Sequence, residues 1–455
     1  MKALVQWTLR FGRTLRARHR RRHRRDRQSG VALLITISTL AMLIALVSDF
    51  TYQTSIYSAQ AANARDEVRA HYLARSSIAL SRLLIRMQQK FIEPIMAQAQ
   101  QMLSGSGGGD LGISLRVTDY AGPIMGFFGG SSDEVSALGN MIGLDTSAAK
   151  GLGLKHGRID AEITNEDGKI DINCGGGPSG SDHTQQVTVY RLISALTFSP
   201  RYNRLFSEKN SQGQFTDRQD LARAIVDWAD ADQQMFSVEP GVSGSEDYRY
   251  DQRADPYLAH DNFYDTVDEV GLVRGMDASF IEAFEPYLTV HASDKQCRVN
   301  LASVKGDCTP LLVGLIRAAL QPDPTKPPTD PTVLDDNRIY PLASILCERG
   351  TAVGFDSLDT IVRVLSNPSG SIARDDPRYQ LMQSMRGITI TRQQLEKVAF
   401  VGPPRVYRVV ATGESGKVKK KITAIIDTGR APEFPVSNNF QSEKAAGVLQ
   451  YWREE

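Results

Sequence analysis

The chain has 455 residues of which 41% are apolar, too long for one domain of ordinary size and too apolar for a disordered protein, so two or three folded units are expected. Its 53 basic and 52 acidic side chains give a formal net charge of +1, but the first thirty residues hold 11 of the basic groups against the single acid Asp26. The remaining body, with 42 basic and 51 acidic groups, is acidic, which argues against a broad phosphate-binding surface and against nucleic acid as a partner.

The basic stretch RRHRRDRQSG, Arg21 to Gly30, runs directly into VALLITISTLAMLIALV, Val31 to Val47. The apolar run approaches the roughly 20 residues a membrane-spanning helix needs. Its arginine-rich flank belongs on the cytoplasmic side, which places the rest of the chain outside the inner membrane. No small-residue cleavage site of a secretory signal follows the run. Instead Ala61 to Phe91 continues in helical period, with Val68, Tyr72, Leu73, Leu80, Leu83, Leu84, Met87 and Phe91 as the expected apolar stripe. Neither Pro nor Gly occurs between Val31 and Glu93, so one helix of about 60 residues, roughly 90 Å long, is predicted.

SGSGGGD, Ser104 to Asp110, ends that helix and opens a globular head. Within GRIDAEITNEDGKIDIN, Gly157 to Asn173, two alternating apolar runs flank NEDG and predict a β-hairpin. A second hairpin is predicted from Arg405 to Asp427, turning at ESGK. Each has one apolar face, as an antiparallel sheet packed against a helix requires, and the stripe of the long helix is the natural cover. The intervening segments, among them DRQDLARAIVDWADAD, PLLVGLIRAALQ and FDSLDTIVRVLS, read as helices. So long a helical block between strands of one sheet is expected to be an inserted domain.

Three patterns in that block bear on chemistry. In DWADAD, Asp227 to Asp232, and GSEDYRYD, Gly244 to Asp251, the acids Asp230, Asp232, Glu246 and Asp247 have the irregular spacing of a loop around a hard cation such as calcium. The competing readings are a helix cap or a solvated acidic surface, and the EF-hand consensus is not met. VDEVGLVRGMDASFIEAFEPYL reads as helix, turn at Gly275 and helix, a helix-hairpin-helix. Asp277, Glu282 and Glu285 at its second helix would repel a phosphate backbone, so protein packing is the expected use. The four cysteines suggest disulfides in an oxidising compartment; the short loop between Cys297 and Cys308 favours that pair, which leaves Cys174 for Cys347. The glycine-rich CGGGPSG after Cys174 has no phosphate-loop lysine and is expected to be a mobile loop. No G-x-S-x-G, Walker or H-E-x-x-H motif occurs, and no catalytic residues are assigned.

The basic leader ending in Gly30, the apolar run opening with Val31, Ala32, Leu33 and Leu34, and the long amphipathic continuation resemble the type IV pilin and pseudopilin class. Members usually carry Glu at the fifth mature position. Here Ile35 stands there, a departure that resembles minor pseudopilin K of type II secretion systems. The resemblance implies an α+β fold: a long N-terminal transmembrane helix, a pilin-like α/β head with an antiparallel sheet, and a large inserted all-α, SAM-like domain. The expected boundaries are a leader at 1–30, a helix at 31–103 with its membrane part at 31–50, head segments at 104–178 and 386–455, and the insertion at 179–385. It further implies cleavage by prepilin peptidase between Gly30 and Val31, and calcium at Asp230, Asp232, Glu246 and Asp247 beside Trp228. The implied role is capping a periplasmic pseudopilus with minor pseudopilins I and J, in contact with the major pseudopilin and the inner-membrane assembly platform. The implied location is the inner membrane, single-pass, with the N-terminus cytoplasmic and the body periplasmic. A type IV pilus minor pilin, a membrane-anchored helix-hairpin-helix DNA-binding protein and a metal-dependent hydrolase at Asp230 and Asp232 are the alternatives.

Overall fold

The computed structural model describes residues 2–95, 98, 116–129, 157–210, 213–238, 244–247, 250, 256–292, 294–321, 331–334, 336–355, 357–371, 374, 376–429 and 447–455, with side chains from residue 30 onward except at 127–129, 331, 352–353 and 371. The expected break at Ser104 to Asp110 and the loops over most of Leu111 to Lys155 and Gln321 to Pro331 lie outside the described residues. The chain divides into two compact units, Met1–Arg69 with Ser415–Val418, and Ala70–Glu414 with Lys419–Glu455.

A single helix, α1 (Lys2–Met87), runs without interruption and passes into a π-helical turn at Gln88–Ile92. From Val31 to Val47 every large apolar side chain on it is exposed, and Gly30–Ile95 has the length and composition of a membrane span. In the first unit the Ser415 hydroxyl donates to Asp66 Oδ1 at 3.3 Å. There a Cβ on Gly416, whose φ is +58°, would meet Asp66 Oδ2 at 2.3 Å.

In the second unit the upper part of α1 lies on a four-stranded antiparallel sheet. Its strands are β1 (Arg158–Asn165), β6 (Val406–Ser415), β7 (Val418–Asp427) and β8 (Val448–Glu454), in the order β1-β6-β7-β8. The short helix α2 (Ala121–Gly129) joins α1 on the same core. Alternation along the strands sends Ile159, Ala161, Ile163, Tyr407, Val409, Ala411, Ile422 and Ala424 into that core, as period-2 patterning requires. The face that α1 presents differs from the expected stripe. Leu73 and Leu84 are buried, but Val68, Tyr72, Leu83, Met87 and Phe91 face outward. The buried face is Ala70, Leu73, Ala74, Ser77, Ile78, Ser81, Leu84 and Ile85, rich in small residues. Close approach is the reason: a Cβ on Gly413 would come within 2.2 Å of Ala70 O and 2.4 Å of Ala74 N. Large side chains would hold helix and strand apart.

The hairpin predicted at Arg405 to Asp427 is present, whereas the one predicted at Gly157 to Asn173 is not. Strand β1 pairs with β6, and the short strand β2 (Ile170–Asp171) pairs in parallel with β3 (Leu288–Thr289). The reason lies in NEDG, which is a junction rather than a turn. Asp167 Oδ2 accepts the N–H groups of Arg405 and Val406 at 2.6 and 2.9 Å. Glu166 Oε1 takes Arg408 Nε at 2.7 Å and Lys169 Nζ at 3.3 Å, and its Oε2 accepts the Thr289 hydroxyl at 2.5 Å. Ile170 and Ile172 then belong to a second core. That core runs through the helical block between β1 and β6: α3 (His183–Thr197), α4 (Arg218–Asp227), α5 (Ala278–Phe284), α6 (Thr309–Leu320), α7 (Ile339–Val353) and α8 (Leu358–Ser366). It is not purely helical, because β2 with β3 and β4 (Val299–Asn300) with β5 (Ala399–Phe400) form two short parallel pairs where the chain enters and leaves the block. The fold is therefore mixed: a long apolar N-terminal helix, an antiparallel sheet and a mainly helical insertion.

The disulfides are Cys174 with Cys297 and Cys308 with Cys347, not the expected Cys297 with Cys308 and Cys174 with Cys347. Sequence proximity misled, because β2 ends beside the segment after β3 and Cys308 precedes α6, which packs on α7 and its Cys347.

Candidate carboxylate site

Helix α4 is capped by Asp217, whose Oδ1 accepts the N–H groups of Gln219 and Asp220 at 2.9 and 3.0 Å. Its amphipathic period buries Leu221, Ala222, Ile225 and Val226 and delivers Asp227 at its last position. Beyond Trp228 the chain leaves the helix and turns Asp230 inward. A bridge between Gln234 and Ser245, with Met235 N–H donating to Gly244 O at 2.8 Å, brings Glu246 back against this loop. Asp227, Asp230 and Glu246 are all buried, and a carboxylate oxygen from each lies within 4.8 Å of the others.

The partners of the three groups differ. Asp227 Oδ1 accepts Phe236 N–H at 2.5 Å, and its Oδ2 accepts Arg274 at 3.0 Å; Arg274 also donates to Glu246 O at 2.7 Å. Asp230 Oδ2 accepts Gln186 Nε2 from α3 at 3.0 Å. Asp230 Oδ1, both oxygens of Glu246 and Oδ1 of Asp261 are buried and receive no donor among the described residues. Burial, then the neighbouring Asp232, Asp227 and Asp261, push Asp230 up to about 8. Burial, then contact with Asp261 and the charge on Asp230, push Glu246 up to about 10. Burial also raises Asp227, to about 6, despite Arg274 beside it. Such crowding of carboxyls out of water is costly unless they are protonated or share a cation. The convergent carboxylates of Asp227, Asp230 and Glu246, with Asp261 against Glu246 and no Cys or His among them, suit a hard ion such as calcium.

Of the four ligands expected from sequence, the structure brings together Asp230 and Glu246. Asp232 is exposed and its Oδ1 accepts Gln234 N–H at 2.8 Å; Asp247 Oδ1 accepts Ala259 N–H at 3.0 Å. Those two acids brace the backbone of the two loops. Asp227, Asp261 and Gln186 were not foreseen. Asp227 stood in the quoted DWADAD, but helical spacing hid that it points to the loop. Asp261 could have been suspected only from the acids of HDNFYD, His260 to Asp265. Trp228 packs at the site against Tyr250, Tyr257, His260 and Tyr264.

The helix-hairpin-helix reading is corrected in part. Val267–Leu272 is a 3-10 helix, Gly275 takes φ +85°, and Asp277 caps α5 by accepting Ser279 and Phe280 N–H at 3.0 and 3.2 Å. Arg274, the cation at that turn, is committed to Asp227. Upstream, Gly30 and Val31 lie exposed on α1, and a Cβ at Gly30 would meet nothing within 4 Å.

A membrane-length helix whose upper part lies on a small antiparallel sheet, with a helical block that carries a buried carboxylate site inserted between the strands, defines the fold class: mixed α and β with a mainly helical insertion. Comparison with known proteins narrows it. Residues 182–293, which include Gln186, Asp227, Asp230, Glu246 and Asp261, match the family model for type II secretion system (T2SS), protein K. Type II secretion system protein K of Aeromonas hydrophila is 35% identical over 95 residues, 21% of this chain and 27% of the relative. That of Klebsiella pneumoniae is 33% identical over 100 residues, 22% of this chain and 29% of the relative. The matches thus span less than a third of these curated relatives. A chain of the GspK-GspI-GspJ complex from the type 2 secretion system of enterotoxigenic Escherichia coli is similar with a TM-score of 0.40 and 14% identity, over 67% of this chain and 81% of that one. The resemblance to protein K read from the sequence is borne out over residues 182–293.

Proposed function

We propose that this protein is a minor pseudopilin of the type II secretion system that caps the tip of a periplasmic pseudopilus, assembled with minor pseudopilins I and J, and so supports protein export across the outer membrane. The observation that carries the reading is that one chain joins a protein K domain to an uninterrupted helix whose Val31 to Val47 stretch is apolar and exposed. The helix would hold the subunit in the inner membrane before assembly, its arginine-rich end in the cytoplasm. Ile35 fits a terminal subunit, because a carboxylate at that depth with no partner would cost several kcal/mol. Prepilin peptidase would cut between Gly30 and Val31, where the glycine leaves the backbone uncovered. Asp230, Glu246 and Asp261 would hold calcium, with Asp227 kept in place by Arg274. The ion would supply the positive charge that the buried oxygens lack. No catalytic role is assigned.

The test is N-terminal sequencing of the protein recovered from cells with and without prepilin peptidase. A mature chain beginning at Val31 only when the peptidase is present supports the proposal. An intact leader in both samples ends it.

A further inference from the structure

The segment CGGGPSG was expected to be mobile, and the structure instead packs it against the carboxylate loop. Gly177 N–H donates to Ala229 O at 2.7 Å, and a Cβ on Gly176 would stand 2.4 Å from that same oxygen. Gly177, at φ +108°, lies so near the Phe263 ring that a Cβ would meet it at 2.2 Å. Ser181 Oγ accepts Ala231 N–H at 3.4 Å. The loop thus holds the residues on both sides of Asp230 and continues into α3, which supplies Gln186 to the same carboxylate.

At its start the loop is tied by the Cys174 to Cys297 bridge, across 123 residues of sequence. Cys297 and Asp261 are the two non-glycine residues with positive φ among those described, at +59° and +50°. Left-handed backbone away from glycine is costly and persists where surroundings fix it, which is common at functional sites. One of these residues anchors the glycine loop; the other brings an oxygen without a donor to the site.

We infer that Cys174 and Cys297 are a positioning pair for the cation site: their bridge clamps the glycine loop onto Ala229 and Ala231 and so sets Asp230 and Gln186 in binding geometry. This rests on the calcium reading above. Cys308 and Cys347 join α6 to α7 elsewhere and supply the control.

The experiment compares the full chain in detergent with the variants C174A/C297A and C308A/C347A, each stripped with chelator and titrated with calcium chloride in a calorimeter, with circular dichroism fixing the folded fraction. Calcium affinity is expected to fall about 10-fold or more in C174A/C297A, the scale of losing an outer-shell support, and to stay near the parent value in C308A/C347A. Equal affinity in the parent chain and C174A/C297A overturns the inference and leaves the calcium reading intact. A parent chain that takes up no calcium overturns both. If C174A/C297A does not fold, G177A in the bridged chain decides between the outcomes: weakened binding supports the clamp, and unchanged binding refutes it.

Discussion

Buried Glu166 pairs with half-buried Arg408 at 2.7 Å, with Arg408 on β6 and Glu166 just past the end of β1, where the chain leaves the sheet for the helical block. Burial works against the charge on Glu166, but Lys169, Arg408 and the Thr289 hydroxyl outweigh it and hold the carboxyl at about 2. A carboxyl lowered in the folded state stabilises above its unfolded value and loses that contribution as pH falls. The contribution, on the order of 3 kcal/mol, is expected to be complete above about pH 4.5 and to vanish between about pH 4.5 and 2. Thermal unfolding across that range should show a steep fall in the parent chain and a shallower one in E166Q.

Removing Arg274 strands Asp227 in a buried pocket. R274A is expected to lose about 3 kcal/mol, and the paired change R274M/D227N should recover a large part of it, because the cost is the uncompensated charge and not the lost contact. A double-mutant cycle by denaturant unfolding measures both values.

Calcium should stabilise the chain through the carboxylate site. At a hundredfold excess over Kd the gain is about 2.7 kcal/mol, read as a rise in Tm that chelator reverses and that D230N or E246Q abolishes. Because Asp230 and Glu246 are pushed up to about 8 and about 10, the empty site carries protons at neutral pH that the ion must displace. Affinity should therefore rise with pH from 6 to 8. Calorimetry in buffers of different ionisation enthalpy should detect proton release.

Gly413 sits against the backbone of α1, where a side chain has no room. G413A is expected to cost about 1 to 3 kcal/mol by forcing helix and strand apart, and G413V more. Denaturant unfolding provides the value; Gly413 is not among the glycines with left-handed backbone, so the loss reports the clash with α1 and not backbone strain.

DNA is not an expected ligand of the Gly275 turn. Filter binding or fluorescence anisotropy of the full chain in detergent should show no affinity that weakens with salt, since Arg274 is neutralised by Asp227 and Asp277 occupies the start of α5.

The sequence by itself determined the helix from Val31 to Met87, because a run without Pro or Gly and with an unbroken apolar base has no competing local structure; that α1 also takes in Gly30 and the basic leader was not expected. It also determined the hairpin at Gly416, where ESGK lies between alternating strands, and the place of the acidic loop, since DWADAD follows a capped amphipathic helix. Tertiary structure decided the rest. Which face of α1 is buried depended on how near a strand could approach, which favours Ala70, Ala74 and Ser77 over larger apolar neighbours. Whether NEDG would turn back or cross over depended on Arg408 and the N–H groups of Arg405 and Val406, some 240 residues away. Cysteine pairing and the choice of Asp227 and Asp261 beside Glu246 were likewise fixed by contacts between distant segments. Local periodicity carries information over a few turns, whereas charge pairing, disulfide geometry and close packing are properties of neighbours in space.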